Sequence, residues 1–370
     1  MKNAAEKKRL VYVDVLRVIA TMLVILNHLP SVDLRAFHSG AVIVPDMLLS
    51  FLIVTDVPMF FMLSGMLLLD KEESFRDLLK KRIARIAIVL FVVFLGMYIT
   101  NALVAVKHGG SADISIWGFI KAFLACGLDG AEFYWFLYAY LSLLFMLPFL
   151  RPAAKHIGRP EFIMLIVLRV VFSSTPVVIN HFSEILLNDT LGVTAQLSFP
   201  MAAFDAFFYA ICGYYLDKNV DVKKLKAPAF LLLGVLCITA MICSYVCGVK
   251  DNYGLFAYVY AFTLFLSVKK ALSGKTDSKA AGKDPKAADL KAGSDGSKAA
   301  AVFGFLAPLC FGIYLLDPFF KRAFYAKYSA VFEPYHTNIL FSLGWLFISF
   351  TLGAVVSWGL KHIPVVKKFL

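Results

Sequence analysis

The chain has 370 residues, of which 60% are apolar and only 17% charged, with 35 Phe and 16 Tyr. Soluble domains run near ~45–50% apolar and ~25% charged, and a soluble globule of this length has no core large enough to hide the excess. Composition therefore excludes a water-soluble enzyme and, for most of the chain, disorder; it points to an all-α, polytopic membrane protein embedded in a lipid bilayer. The net charge of +12 would suggest nucleic acid in a soluble protein. Here the gathering of Lys and Arg in cytoplasmic loops accounts for it, and no nucleic-acid partner is expected.

About ten apolar runs are long enough to cross a bilayer, which takes about 20 residues of helix. They fall near 10–29, 47–69, 83–106, 133–150, 161–179, 197–216, 228–249, 254–268, 301–320 and 337–360. The first carries Asp14 and Arg17 and has no small-residue cleavage site, so it reads as a mature helix rather than a signal peptide. Residues 114–127 are apolar but short, fitting an interfacial or re-entrant helix. Ten crossings put both termini on one side. With that side cytoplasmic, the inner segments hold 28 of the 37 Lys and Arg and the outer ones seven, as the positive-inside rule requires. Residues 270–300 are Lys-, Ala-, Gly- and Asp-rich without apolar periodicity, and read as a flexible cytoplasmic loop within a single domain of residues 1–370. The six cysteines show no C-x-x-C pair and no Cys/His ligand spacing, so neither a metal site nor a disulfide framework is expected.

Ionisable groups inside spans are costly and mark functional positions by default. In the first span Asp14 and Arg17 are three residues apart and can pair on one face. Arg17 and His28 are eleven apart, about three turns, with a mismatch of ~20° and a rise of ~16 Å, so they share a face near opposite ends of the helix. That stripe suits the lining of a polar cavity, where a neutral imidazole can act as general base; an interfacial position for His28 is the other reading. Asn27 points to a different face. The second span carries Asp56, as a cavity group or a helix-end carboxylate, then Pro58, where a kink is expected. Ser64-Gly65 follows, read as a site of close helix approach. Arg82 and Arg85, on one face at the start of the third span, fit either a phosphate-binding pair or an ordinary positive-inside cluster. Glu132 opens the fourth span as a candidate cavity carboxylate. Arg169 and Asp205, in the fifth and sixth, either pair or face the cavity.

Five motifs in this order carry a resemblance: Arg17-x10-His28, Phe60-Phe61-x-x-Ser64-Gly65, Arg82-x-x-Arg85, Trp135-Phe136-Leu137-Tyr138 and Gly312-Ile313-Tyr314. Nearly the whole chain resembles the membrane-bound acyltransferase family 3, integral-membrane O-acyltransferases of carbohydrates and other cell-surface acceptors. The chain departs from the family at Asp317-Pro318, where His often precedes Pro. The resemblance implies no bound cofactor and an acyl-CoA co-substrate, acetyl-CoA first, reaching a cell-membrane protein from the cytoplasm. It implies CoA phosphates at Arg82 and Arg85, donor positioning by Arg17 with Asp14 orienting it, and His28 as general base. Glu132, Trp135, Asp56 and Asp317 become substrate-side candidates for a surface or lipid-linked carbohydrate. Export of a polysaccharide or small solute through the same polar path, or a sensor domain without chemistry, are the competing readings.

Overall fold

The first helix, α1 (Val11–Asn27), is a mostly apolar run, with Asp14, Arg17 and Asn27 as its charged and amide positions, and contains no Gly or Pro. It stops just before Pro30, whose ring disfavours helical backbone at Leu29. The computed structural model describes residues 9–32, 45–111, 114–189, 191–192, 202–248, 255–277, 294–332 and 339–370. Among these, α2 (Pro45–Ile53) and α3 (Asp56–Leu68) are two halves of one crossing, Leu48–Leu68. The break falls at Val54-Thr55 rather than at Pro58. Pro58 sits in the first turn of α3, where its missing N–H would have no helical partner in any case.

The remaining helices are α4 (Phe75–Lys107), the short α5 (Ile116–Ala125), α6 (Glu132–His156), α7 (Arg159–Leu187) and α8 (Ala202–Asn219). They are followed by α9 (Ala227–Val246), α10 (Leu255–Asp277), α11 (Lys298–Phe332) and α12 (Ile339–Leu360). Each of the ten expected crossings has a helical counterpart, and eight are long and apolar enough to cross a membrane. The other two fall short for visible reasons: α1 has only 17 residues, and α8 carries Asp205, Asp217 and Lys218. No strand occurs among the described residues. Helix α5, ten residues long, is too short to span and packs Phe119 and Phe123 against Phe91 and Phe94 of α4.

The Lys-rich stretch at 270–300 is helical at both ends: α10 runs on to Asp277, and helix resumes at Ser294 ahead of α11. Ala and Lys are good helix formers, and the adjoining helices propagate into them. Residues 278–293 lie outside the described residues.

Packing depends on small residues where helices cross. A Cβ on Gly65 of α3 would lie 1.9 Å from the carbonyl oxygen of Ala210, and one on Gly213 of α8 would lie 2.1 Å from that of Met62. The two backbones are therefore in direct contact at paired glycines. Likewise Gly312 of α11 faces Ser357 of α12, and Gly353 faces Ile313. Helix α1 runs down the middle, packed against α3, α10, α11 and α12. The Arg169 guanidinium pairs with Asp205 across α7 and α8 and lies 5.4 Å from the centre of the Tyr258 ring, which settles that pair as an interhelical contact. Outward faces of α4 and α9 expose Phe91, Val92, Leu231 and Leu232, as lipid-facing helices do.

Candidate functional site

A cavity of about 940 Å³ runs along α1, walled by residues of α3, α4, α6, α11 and the segment after α12. Arg17 and His28 both line it, on the one helix face that their spacing gives them. Asn27 lines it too; α1 ends there, and the cavity is wide enough to embrace neighbouring faces. Phe60, Phe136 and Tyr140 build an aromatic wall between the two ends, with Phe136 and Tyr140 stacked at 5.9 Å. Ser64 also lines the cavity, its hydroxyl donating to the carbonyl of Phe60 at 2.7 Å.

One end is cationic. Arg17, Arg82, Arg85 and Lys361 all line it, and Lys361 lies close enough to Arg85 and Arg17 to feel their charge. Burial, together with Arg85, pushes the Lys361 ammonium below the usual lysine range. Arg85 donates from Nε to the carbonyl of Phe369 at 3.2 Å, and Lys361 to that of Pro308 at 2.5 Å. No carboxylate pairs with Arg17, Arg85 or Lys361 among the described residues. Arg82 differs: its Nε and Nη2 fork onto Glu73 at 2.8 and 3.0 Å, and Arg151 reaches the same carboxylate at 3.3 Å. Hydrogen bonding from Arg82, then from Arg151, holds Glu73 below the usual carboxylate range despite its partial burial. Arg82 sits in a π-turn, Leu79–Ile83, that opens the first turns of α4, a distortion common where helices carry functional groups.

The other end is mixed. Asp56, 1% exposed, accepts from Asn27 Nδ2 at 2.8 Å and from the N–H of Val57. Glu132 and the 41%-exposed Trp135 line the rim. His28 packs on Phe133 with ring centres 4.0 Å apart. Lys321, at the start of a second π-turn in α11, donates to the His28 carbonyl.

Two expected roles change. Asp14 is held by Arg9 Nε at 2.5 Å and is not part of the cavity wall, so its ion pair among the described residues runs to Arg9 rather than to Arg17. Asp317 is also absent from the cavity wall: it is 1% exposed and lies behind His28, its Oδ2 2.6 Å from Nδ1. Sequence reasoning missed Lys361, which looked like any other positive-inside lysine, and Ser349, one of four hydroxyl residues in an apolar run.

The fold and this shaft define a polytopic helical membrane protein with arginines and an imidazole at opposite ends of one polar cavity. A family model described as an acyltransferase domain, acyltransferase family 3, matches residues 10–361; the chain belongs to that family of membrane acyltransferases. No curated protein and no solved structure gives a match.

Proposed function

We propose that the protein moves an acyl group, acetyl in the first instance, from cytoplasmic acyl-CoA to a hydroxyl of a cell-surface or lipid-linked carbohydrate. In this reading it sits in the cell membrane with both termini cytoplasmic. The observation that carries the reading is the continuity of one cavity from the cations Arg17, Arg85 and Lys361, which have no carboxylate partner among the described residues, to the imidazole of His28. A polyanionic donor suits the first end. Its reactive carbon must then reach ~16 Å along α1, which suits a thioester on a long flexible arm. Aromatic side chains and carboxylates at Trp135, Glu132 and Asp56 suit a hydroxyl-rich acceptor at the other end.

In the transfer step His28 accepts the proton of the acceptor hydroxyl as its oxygen bonds to the thioester carbonyl carbon. The carbon–sulfur bond then breaks, and the departing thiolate takes the proton back from His28. Products are the O-acyl ester and free CoA thiol. The test is transfer from radiolabelled acetyl-CoA to glycan in membranes containing the protein, with His28→Ala and Arg17→Ala alongside. Transfer by the wild type and its loss in both variants support the reading. Full transfer by both variants overturns the site, and solute flux in vesicles without any acyl transfer or acyl-CoA hydrolysis replaces the reading with export.

A further inference from the structure

Side chains from three helices meet in a line at the end of α1. Asp317 Oδ2 lies 2.6 Å from His28 Nδ1, and Ser349 of α12 donates its hydroxyl to Asp317 Oδ1 at 2.5 Å. Asp317 and Ser349 are 1% and 0% exposed. An ionised carboxylate only accepts, and here each oxygen faces one donor. The proton on the shared edge therefore belongs to Nδ1, which leaves Nε2 as the lone-pair nitrogen of a neutral imidazole. Nε2 makes no hydrogen bond among the described residues, and His28 lines the cavity. The ring has little freedom to turn. Phe133 packs on it at 4.0 Å, and Lys321 holds the His28 carbonyl while lying 4.5 Å from the centre of the same Phe133 ring.

We infer that Asp317, braced by Ser349, is a positioning residue that fixes His28 as the Nδ1–H tautomer and aims Nε2 into the cavity. Its effect on rate rests on the acyl-transfer reading above; its effect on the tautomer does not. During transfer Nε2 takes the acceptor proton, the imidazolium then carries one proton on each nitrogen, and Asp317 stabilises that cation without itself being protonated.

The experiment uses the full chain in lipid nanodiscs with 15N-labelled histidine, the His28 signal being assigned by its loss in His28→Gln. The wild type is expected to give a protonated Nδ1 and an unprotonated Nε2. Asp317→Asn is expected to shift that signal away from the pure tautomer and to lower kcat by about 10²-fold or more, with donor KM unchanged within twofold. Ser349→Ala is expected to do the same more weakly, and Asp317→Glu to recover part of the rate. In a His28→Ala background Asp317→Asn should cost nothing further, because it acts through the imidazole. An Nε2–H wild-type tautomer, an Asp317→Asn protein that keeps both signal and kcat, or a loss confined to donor KM overturns the inference. A wild type that shows the Nδ1–H signal but transfers no acyl group leaves the positioning intact and sinks the acyl-transfer reading instead.

Discussion

Tyr134 and Tyr314 each donate their hydroxyl to the backbone beside the other: Tyr134 to the carbonyl of Leu315 and Tyr314 to that of Phe133, both at 2.9 Å. Their rings meet edge to face at 6.2 Å. This exchange clamps the start of α6, which carries Glu132, Phe133 and Trp135, onto the part of α11 that carries Asp317. Tyr314→Phe leaves the part-buried Phe133 carbonyl without its donor, at a cost of about 1 kcal/mol. The expected result is a lower melting temperature in detergent and a lower kcat, with Tyr134→Phe behaving alike. Unchanged melting of both variants would show that the clamp contributes nothing.

Gly65→Ala and Gly213→Ala should each do more damage than a methyl group usually does. The new carbon would fall on the backbone of Ala210 or Met62, which cannot rotate aside as a side chain can. Overpacking of this kind costs about 1–3 kcal/mol or more. Size-exclusion chromatography after extraction should show loss of the monodisperse peak, whereas Gly359→Ala, with open space around it, should elute normally.

At the cationic end, Arg17→Ala, Arg85→Ala and Lys361→Ala are expected to raise donor KM by about 10–100-fold. That is the factor for losing a charge-assisted hydrogen bond of ~1.5–3 kcal/mol. His28→Ala should lower kcat by about 10²–10⁴-fold with donor binding retained. Calorimetry with a non-hydrolysable acyl-CoA separates the two classes; equal loss of binding in all four variants would contradict the division of the cavity.

Glu73 supplies a pH dependence. Its folded-state pKa is depressed, with hydrogen bonding from Arg82 as the largest cause. Its contribution to stability is therefore complete above its ordinary value of 4.5 and is lost as pH falls through the depressed one. Wild type should exceed Glu73→Gln in melting temperature at neutral pH, and the gap should close on acidification below the ordinary value. A gap that stays constant with pH would mean that the Arg82–Glu73–Arg151 network is not what the substitution removes.

Much of this architecture was readable in advance because bilayers enforce long apolar runs and helices enforce angular spacing. The shared face of Arg17 and His28 follows from 3.6 residues per turn, and the contact at Gly65 follows from the absence of a Cβ. The partner of His28 was hidden for the opposite reason. Asp317 lies 289 positions away, and no local periodicity links the two. Spacing pairs Asp14 with Arg17, because the two lie three positions apart on one helix face, whereas the partner of Asp14 in the fold, Arg9, precedes α1. Arg82 and Arg85 looked equivalent in sequence; only folding shows that Glu73 occupies the first and a backbone carbonyl the second.

The interlocked glycines of α3 and α8 also decide which side of the shaft can breathe. Two backbones in direct contact form a stiff hinge-free panel, since sliding either past the other drives carbonyls together. Widening to admit a bulky guest then falls to the other walls, among them the seam where Arg85 of α4 donates to the Phe369 carbonyl after α12 and Leu370 lines the cavity. Substitutions that stiffen this seam should slow guest exchange while leaving the resting architecture untouched.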